Sequence, residues 1–441
     1  MIKNCSLTLI VALMVTSVTL TNAQSFIGST VDNYAGVHSV LINPANAADS
    51  RMKLDINLFS ASAFVGNDFI SVDLSNLKNF SDGFDFNTDA EKNPMDQNNF
   101  FGNVDILGPS ALFNLNQKNS IAITTRVRAF FNLHNIGGEL YEVLNGDEDI
   151  DNFNISMNDL SGVVHAWAEI GLTYGRVVLE KDKHFLKAGA TLKYLGGAGG
   201  LFGLSPLLTA NYSADNESLT TTGSLNYGYT SGFDTEEITF SDVSGGFGAD
   251  LGVVYEFRDI DNRHENPYKF RVGLSVTDIG AINYKATSNF RYDMNATIDA
   301  NEFEEKDLDE VLDDNYNGTE TLEAAKFGLP TAIQIFADYS ITNRFFVSAQ
   351  GAVSAKKVSD VPVSNIINSF SVTPRYEMRW ISVYSPLSFR QYDSSLAWGF
   401  GLRAGPVTIG SGSILTNLIS GSSRSADVYV GLKIPLYKKS E

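Results

Sequence analysis

The stretch FGADLGVVYEFR, residues 247–258, decides the fold. Successive side chains of an extended chain point to opposite faces. One face therefore carries Phe247, Ala249, Leu251, Val253, Tyr255 and Phe257, and the other Gly248, Asp250, Gly252, Val254, Glu256 and Arg258. The first face is wholly apolar and rich in aromatics, while the second mixes glycine with isolated charges. Its length matches the roughly 9–11 residues that a tilted strand needs to cross a bilayer core.

Working outward, residues 186–194 repeat the pattern, with Leu186, Ala188, Ala190, Leu192 and Tyr194 set against Lys187, Gly189, Thr191 and Lys193. Similar alternation marks residues 52–58, 121–131, 164–174, 270–277, 333–339, 370–380, 396–403 and 428–434, and less cleanly 103–115 and 345–353. A soluble sandwich also alternates, but its outer face is densely charged. Here the polar face holds Gly, Ser, Thr and scattered charges and the apolar face is bulky, which points to lipid outside and a polar lumen inside.

Connector lengths add an independent argument. Short polar turns at 116–119, 180–183 and 342–343 alternate with long polar stretches at 68–99, 132–160, 196–244, 280–326 and 356–368. Outer-membrane barrels have this asymmetry, with short periplasmic turns and long extracellular loops. The fold expected is all-β, a transmembrane antiparallel outer-membrane barrel. The direct count gives 12 strands; residues 207–212 and 219–229 would raise it to 14, and Gly405-Pro406 could instead divide one long strand in two.

Composition agrees. The 441 residues are 43% hydrophobic and 11% aromatic, which excludes disorder. A net charge of -19 argues against nucleic-acid binding. Lys3 followed by the apolar run 7–20 and by small Thr21 and Ala23 reads as an export signal, residues 1–23. The single cysteine, Cys5, lies within it, so no disulfide or lipid anchor is expected in the mature chain. No other segment is apolar for 18 residues, which leaves no candidate helical span. Residues 51–441 read as one barrel domain, without linker or appended domain.

The segment SVLINPA, residues 39–45, resembles the N-terminal Asn-Pro-Ala segment of the FadL-like superfamily of outer-membrane barrels, which includes PorV-type proteins. GLSVTDIGAINY (273–284), GLPTAIQIFADY (328–339), TPRYEMRWISVYSPLSFRQYD (373–393) and WGFGLRAGPVTIGSGS (398–413) are similar to an uncharacterised family of Bacteroidetes outer-membrane proteins. The resemblance implies about 14 strands and an N-terminal lumenal plug over residues 24–50, with Asn43, Pro44 and Ala45 as its motif. It also implies passive transport of a hydrophobic or amphipathic small molecule. The alternative it carries is a PorV-like interaction barrel that docks a type IX secretion or cell-surface protein. Outer-membrane lipid is the common partner of both.

Strand parity places Arg126, Arg128, Lys187, Lys193, Arg271, Arg375, Arg379 and Arg403 in the lumen, with Glu169, Asp250, Glu256, Asp338 and Glu377. They could line a solute path; a salt-bridge network that fills the interior is the favoured reading. The acidic run 302–314 carries eight carboxylates and one Lys306, and Asp147, Asp149 and Asp151 form a second cluster. Neither completes a calcium loop, so both read as solvated loop charge. The five histidines are scattered, and no nucleophile elbow or phosphate loop occurs. No catalytic residue, metal site or cofactor is expected, and the chain is not read as an enzyme.

Overall fold

Alternation alone does not say which face of a strand is buried; the computed structural model resolves the choice the same way around the whole sheet. It describes residues 26–74, 90–145, 150–231, 244–258 and 268–437. The expected export signal, Cys5, Asp147 and Asp149 lie outside them. On the long strand Phe153–Lys181, Ile170 and Leu172 are each 56% exposed, while Glu169 and Thr173 on either side of them are buried. On the strand carrying FGADLGVVYEFR, Phe247 is 75% exposed and Asp250 and Glu256 are buried. An outward band of such side chains suits acyl chains, where an outward Arg or Lys would cost about 2–4 kcal/mol at midplane.

Fourteen antiparallel strands close into one barrel. They are β1 (Met52–Asn67), β2 (Asn98–Leu107 and Ser110–Asn114), β3 (Asn119–Ile136), β4 (Phe153–Lys181) and β5 (His184–Ser213). Then come β6 (Ser218–Thr230 and Ser244–Arg258), β7 (Tyr268–Asp293), β8 (Asn317–Gly328 and Ala332–Ser340), β9 (Phe345–Ser354) and β10 (Ser369–Glu377). The last four are β11 (Ile381–Tyr384 and Leu387–Arg390), β12 (Asp393–Trp398 and Phe400–Ala404), β13 (Val407–Ser411) and β14 (Ser425–Tyr437). Closure pairs β1 with β14, from Met52 opposite Tyr437 to Phe59 opposite Leu432. Both ends of the barrel chain thus lie at the end with the short turns.

The count of 14 is reached in part by the Gly405-Pro406 break that the sequence offered, and not through residues 207–212 and 219–229. Residues 207–212 continue β5, and 219–229 form the upper half of β6, so neither adds a strand. The additional strands are β11, which turns back after Glu377 where one strand over 370–380 was expected, and β13, created by the turn at Gly405-Pro406. The polar stretches 196–244 and 280–326 are largely strand rather than loop.

The reason is an inversion of polarity along single strands. β4 has 29 residues, far more than a bilayer needs. Across the bilayer its outer face is Val164, Ala166, Ala168, Ile170, Leu172 and Tyr174. Further up, Asn154, Ser156 and Asn158 face out, and Ile155 and Met157 turn inward and are buried. β5 does the same with Asn211 outside and Leu208, Ala210 and Tyr212 inside. The upper parts of β4 to β8 therefore form a sheet beyond the membrane with an apolar core of their own. Helix α2 (Gly138–Leu144) contributes Leu140 and Val143 to it, and α4 (Leu308–Asn315) contributes Val311 and Leu312. α1 is Val37–Ile42, α3 is Glu302–Glu305 and α5 is Ile414–Ile419.

Candidate functional site

The inner column of β3 lays out the lumen layer by layer. Reading from the turn end it runs Ala122, Thr124, Arg126, Arg128, Phe130, Asn132 and His134, one residue every ~6.7 Å along the strand. Ala122 packs on α1, Arg126 and Arg128 enter an ionic layer, Phe130 belongs to an aromatic layer, and Asn132 holds a loop folded in from the opposite wall.

The first layer is the N-terminal segment, residues 26–51. Val37 and Val40 of α1, with Ala47, are buried against Leu107, Leu112 and Ala122. Asn43 accepts a hydrogen bond from Ala45 N at 3.0 Å and donates to the carbonyls of Val253 and Leu274, both at 3.1 Å. The Asn43-Pro44-Ala45 turn lies so close to the wall that Gly189 and Gly252 face it. A Cβ on Gly189 would stand 2.5 Å from the Pro44 carbonyl, and one on Gly252 would collide with the Asn43 amide. Polar ties complete the docking. Lys433 Nζ donates to the carbonyls of Tyr34 (2.6 Å) and Ala35 (2.9 Å), Val37 N donates to Asp55 (2.9 Å), and Asp49 pairs with Arg258 (2.6 Å).

Asp32 is the anchor at the centre of this segment. Arg403 Nε lies 3.0 Å from its Oδ2, and the Tyr384 hydroxyl donates to the same oxygen. Burial alone would push the carboxyl up; the Arg403 charge and the Tyr384 hydrogen bond outweigh it and hold Asp32 well below the usual carboxylate range. A cavity of about 40 Å³ lies between this segment and the wall at the turn end, lined by Asp32, Asn33, Arg51, Lys187, Glu256 and Arg271 among others. That is water-sized, against roughly 300–1,000 Å³ for a small-molecule site.

The ionic layer joins β2 to β7. Arg126 pairs with Asp105 and, at 3.1 Å, with Glu169; Arg128 reaches Asp278 at 2.9 Å; Lys193 reaches Asp250 at 2.8 Å and Asp278 at 2.6 Å. A second group sets Arg271 and Arg375 on Asp338, with Arg375 also on Glu377, which accepts from Asn33 Nδ2 at 2.7 Å. Lys187 pairs with Glu256 at 2.6 Å. Each of these charges has its counter-charge within the lumen, as buried ions require.

Above the ions lie Phe130, Val163, Trp167, Leu195, Phe202 and Phe327, with His165 and Tyr284. Trp167 and Phe130 stack at 5.5 Å, and the Arg128 guanidinium lies 5.1 Å from each ring. The connection between β9 and β10, residues 355–368, covers this layer from the loop end. It was expected as an outer loop; it turns inward instead. Gly328 N donates to Pro362 O at 2.9 Å, Ser364 N donates to Gly328 O at 3.2 Å, and Ile367 is buried with Phe64 and Phe101. Apolar Val361, Ile366 and Ile367 explain the inward turn, since they pack on rings that would otherwise face water.

Of the candidate lumen residues, the structure buries and pairs Arg126, Arg128, Lys187, Lys193, Asp250, Glu256, Arg271, Arg375, Glu377 and Arg403. Arg379 is a correction. It is exposed in the turn between β10 and β11, 4.6 Å from the Tyr437 ring, because the strand ends at Glu377 and parity no longer applies. Sequence reasoning missed Asp105, Asp278, Lys433, Arg390 and Asp427. Asp278 adopts φ 56° and follows Thr277 into the lumen, two consecutive inward residues that no alternation rule selects. Lys433 was accessible to the parity argument, being in step with Tyr429 on β14.

Comparison with known proteins sets the chain among similar barrels. The toluene transporter TodX of Pseudomonas putida is similar over 94% of this chain and 98% of its own, at 10% identity and a TM-score of 0.42. The toluene transporter TbuX of Ralstonia pickettii is similar over 92% and 95%, at 8% identity and 0.41. A FadL homologue of Pseudomonas aeruginosa is similar over 90% and 93%, at 10% identity and 0.39. No curated protein matches the sequence. Residues 44–412 match the family described as a family of unknown function, DUF5723, and with that share of its length matched the chain belongs to it.

Proposed function

We propose that this barrel resides in the outer membrane, after removal of the export signal, and is a gated passive conduit for hydrophobic or amphipathic small molecules. One observation carries the reading: an aromatic layer inside the lumen lies between two chain segments that are not part of the wall. Residues 26–51, with the Asn43-Pro44-Ala45 turn, form the plug on the turn side, and residues 355–368 form the cover on the loop side.

Both are held by hydrogen bonds, ion pairs and apolar side-chain packing rather than by the barrel's own ladder. None of these contacts belongs to the strand-to-strand ladder of the wall, so either segment can leave without opening the strands. Trp167, Phe130 and Phe327 offer ring faces to an apolar solute, and Arg128 over two of those rings supplies a cation for a polar head.

The test is flux of an apolar aromatic dye and of a polar sugar of similar size into proteoliposomes. It compares wild type with a chain lacking residues 26–50 and with one in which 357–366 is replaced by a short Gly/Ser linker. Transport predicts slow dye entry in wild type and faster entry in both variants, with the dye favoured over the sugar. Equal dye flux in protein-free and all protein-containing vesicles would remove the proposal.

A further inference from the structure

The loop-end half of β8, Asn317–Gly328, pairs with β7 on one side, from Asp293 opposite Asn317 to Ala281 opposite Gly328. On its other side the wall stops short. β9 ends at Ser354, opposite Ala332 in the lower half of β8, and never runs beside 317–327. Residues 317–324 are exposed on both faces, and Leu322 is 72% exposed. Among the described residues nothing pairs with this edge above Gly328.

The hydrogen bonds at Gly328 reveal which backbone groups are free. Its N–H and C=O both bond to the inward loop, to Pro362 and Ser364, whereas Leu329 N bonds across to Gly280 of β7. Strand alternation therefore turns the N–H and C=O of Gly318, Glu320, Leu322, Ala324 and Lys326 to the free edge. The irregularity in this ladder, between Tyr284 and Thr287, adds a residue on β7, so the alternation on β8 is unbroken. Residues 362–364 already sit on the lower end of the edge, with Val363 bridging Gly328 in parallel fashion. The edge thus accepts an added strand at one end and, among the described residues, is unpaired over the rest.

We propose that the free edge of β8, residues 318–326, binds an extended segment of a basic partner polypeptide by strand addition. Charge selects the partner. Glu320 and Glu323 project from opposite faces of the strand and flank exposed Leu322, and Lys326 at the lower end is the one cation on this stretch. An incoming strand that alternates Lys or Arg with β-branched residues carries its cations on one face, beside whichever of Glu320 and Glu323 shares that face, and cross-strand pairs of opposite charge are favourable. A second copy in the same membrane fits poorly: its edge would run parallel, with Glu320 and Glu323 beside their own kind. The edge has neither proline nor bulge to blunt it, and its two carboxylates admit a strand of opposite charge.

The experiment uses the full chain in detergent and two nine-residue fluorescent probes, one alternating Lys with Val and one alternating Glu with Val. Saturable binding of the Lys probe is expected, with slowed amide exchange at Gly318, Glu320, Leu322 and Ala324. Ala324→Pro removes a free-edge N–H without touching the β7 ladder and should weaken binding about tenfold, with folding checked by heat-modifiable gel migration. If that variant does not fold, the exchange pattern in wild type decides. Equal binding of both probes, undiminished binding by Ala324→Pro, protection elsewhere, or no binding at millimolar probe would each overturn the proposal.

Discussion

Asn132 on β3 and Asn365 in the β9–β10 connection hold each other reciprocally. Asn132 Nδ2 donates to Asn365 O at 3.1 Å, and Asn365 N donates to Asn132 Oδ1 at 2.8 Å. β3 and β9 lie on opposite sides of the 14-strand wall, so this pair fastens the inward loop across the full width of the lumen.

Asn132→Ala removes both hydrogen bonds and leaves a buried N–H and C=O of Asn365 without them. The cost is about 1–3 kcal/mol, borne by the loop rather than the barrel. Amide exchange over residues 361–367 should quicken while that of β3 stays slow, and dye flux should rise. Unchanged exchange in the loop would mean that the apolar contacts of Ile366 and Ile367 hold it by themselves.

Gly189→Val tests how residues 26–51 are seated against the wall. The new side chain would occupy the space of the Pro44 carbonyl, and the turn at Asn43-Pro44-Ala45 must move because the β5 backbone is fixed on both sides by β4 and β6. Limited proteolysis should then cut within residues 26–50, with heat-modifiable migration retained. The wild type should resist the same protease.

The Asp32–Arg403 pair predicts a non-additive mutant cycle. Arg403→Met leaves a buried carboxylate without its cation and should cost about 3–5 kcal/mol in the docking of residues 26–51. Asp32→Asn combined with Arg403→Met should cost less than Arg403→Met alone. The pH dependence has a definite sign. Because the folded carboxyl is held below its unfolded value of about 3.9, its contribution is complete above that value and fades only as pH falls further. Protease resistance of residues 26–50 should therefore persist at pH 5, and release in wild type at that pH would contradict the pairing.

The inversion along β4 predicts opposite tolerance at two outward positions of one strand. Leu172→Arg sets a cation against acyl chains and should lower folding stability by about 2–4 kcal/mol in a denaturant titration into vesicles. Ser156→Arg, outward but beyond the bilayer, should shift the same midpoint little. Equal effects would place the membrane boundary elsewhere.

The sequence by itself determined the barrel. Residues 247–258 and 186–194 alternate so cleanly that lipid and lumen faces are assigned by chemistry alone, and ions such as Lys193 and Glu256 follow from the same parity. Three things were settled only in three dimensions. Residues 196–206 and 281–293 looked like loop, and the inverted polarity above them follows from a buried outer core shared by β4, β5, β7 and α4, a non-local property no single strand displays. Asp278 enters the ionic layer through a backbone turn that breaks the period of two. The inward course of residues 355–368 depends on Asn132, more than 200 positions away in the chain. Local pattern fixes which face of a strand meets oil, because that depends on each side chain's own solvation. What fills the interior depends on partners brought together by closure, and closure is not written in any one segment.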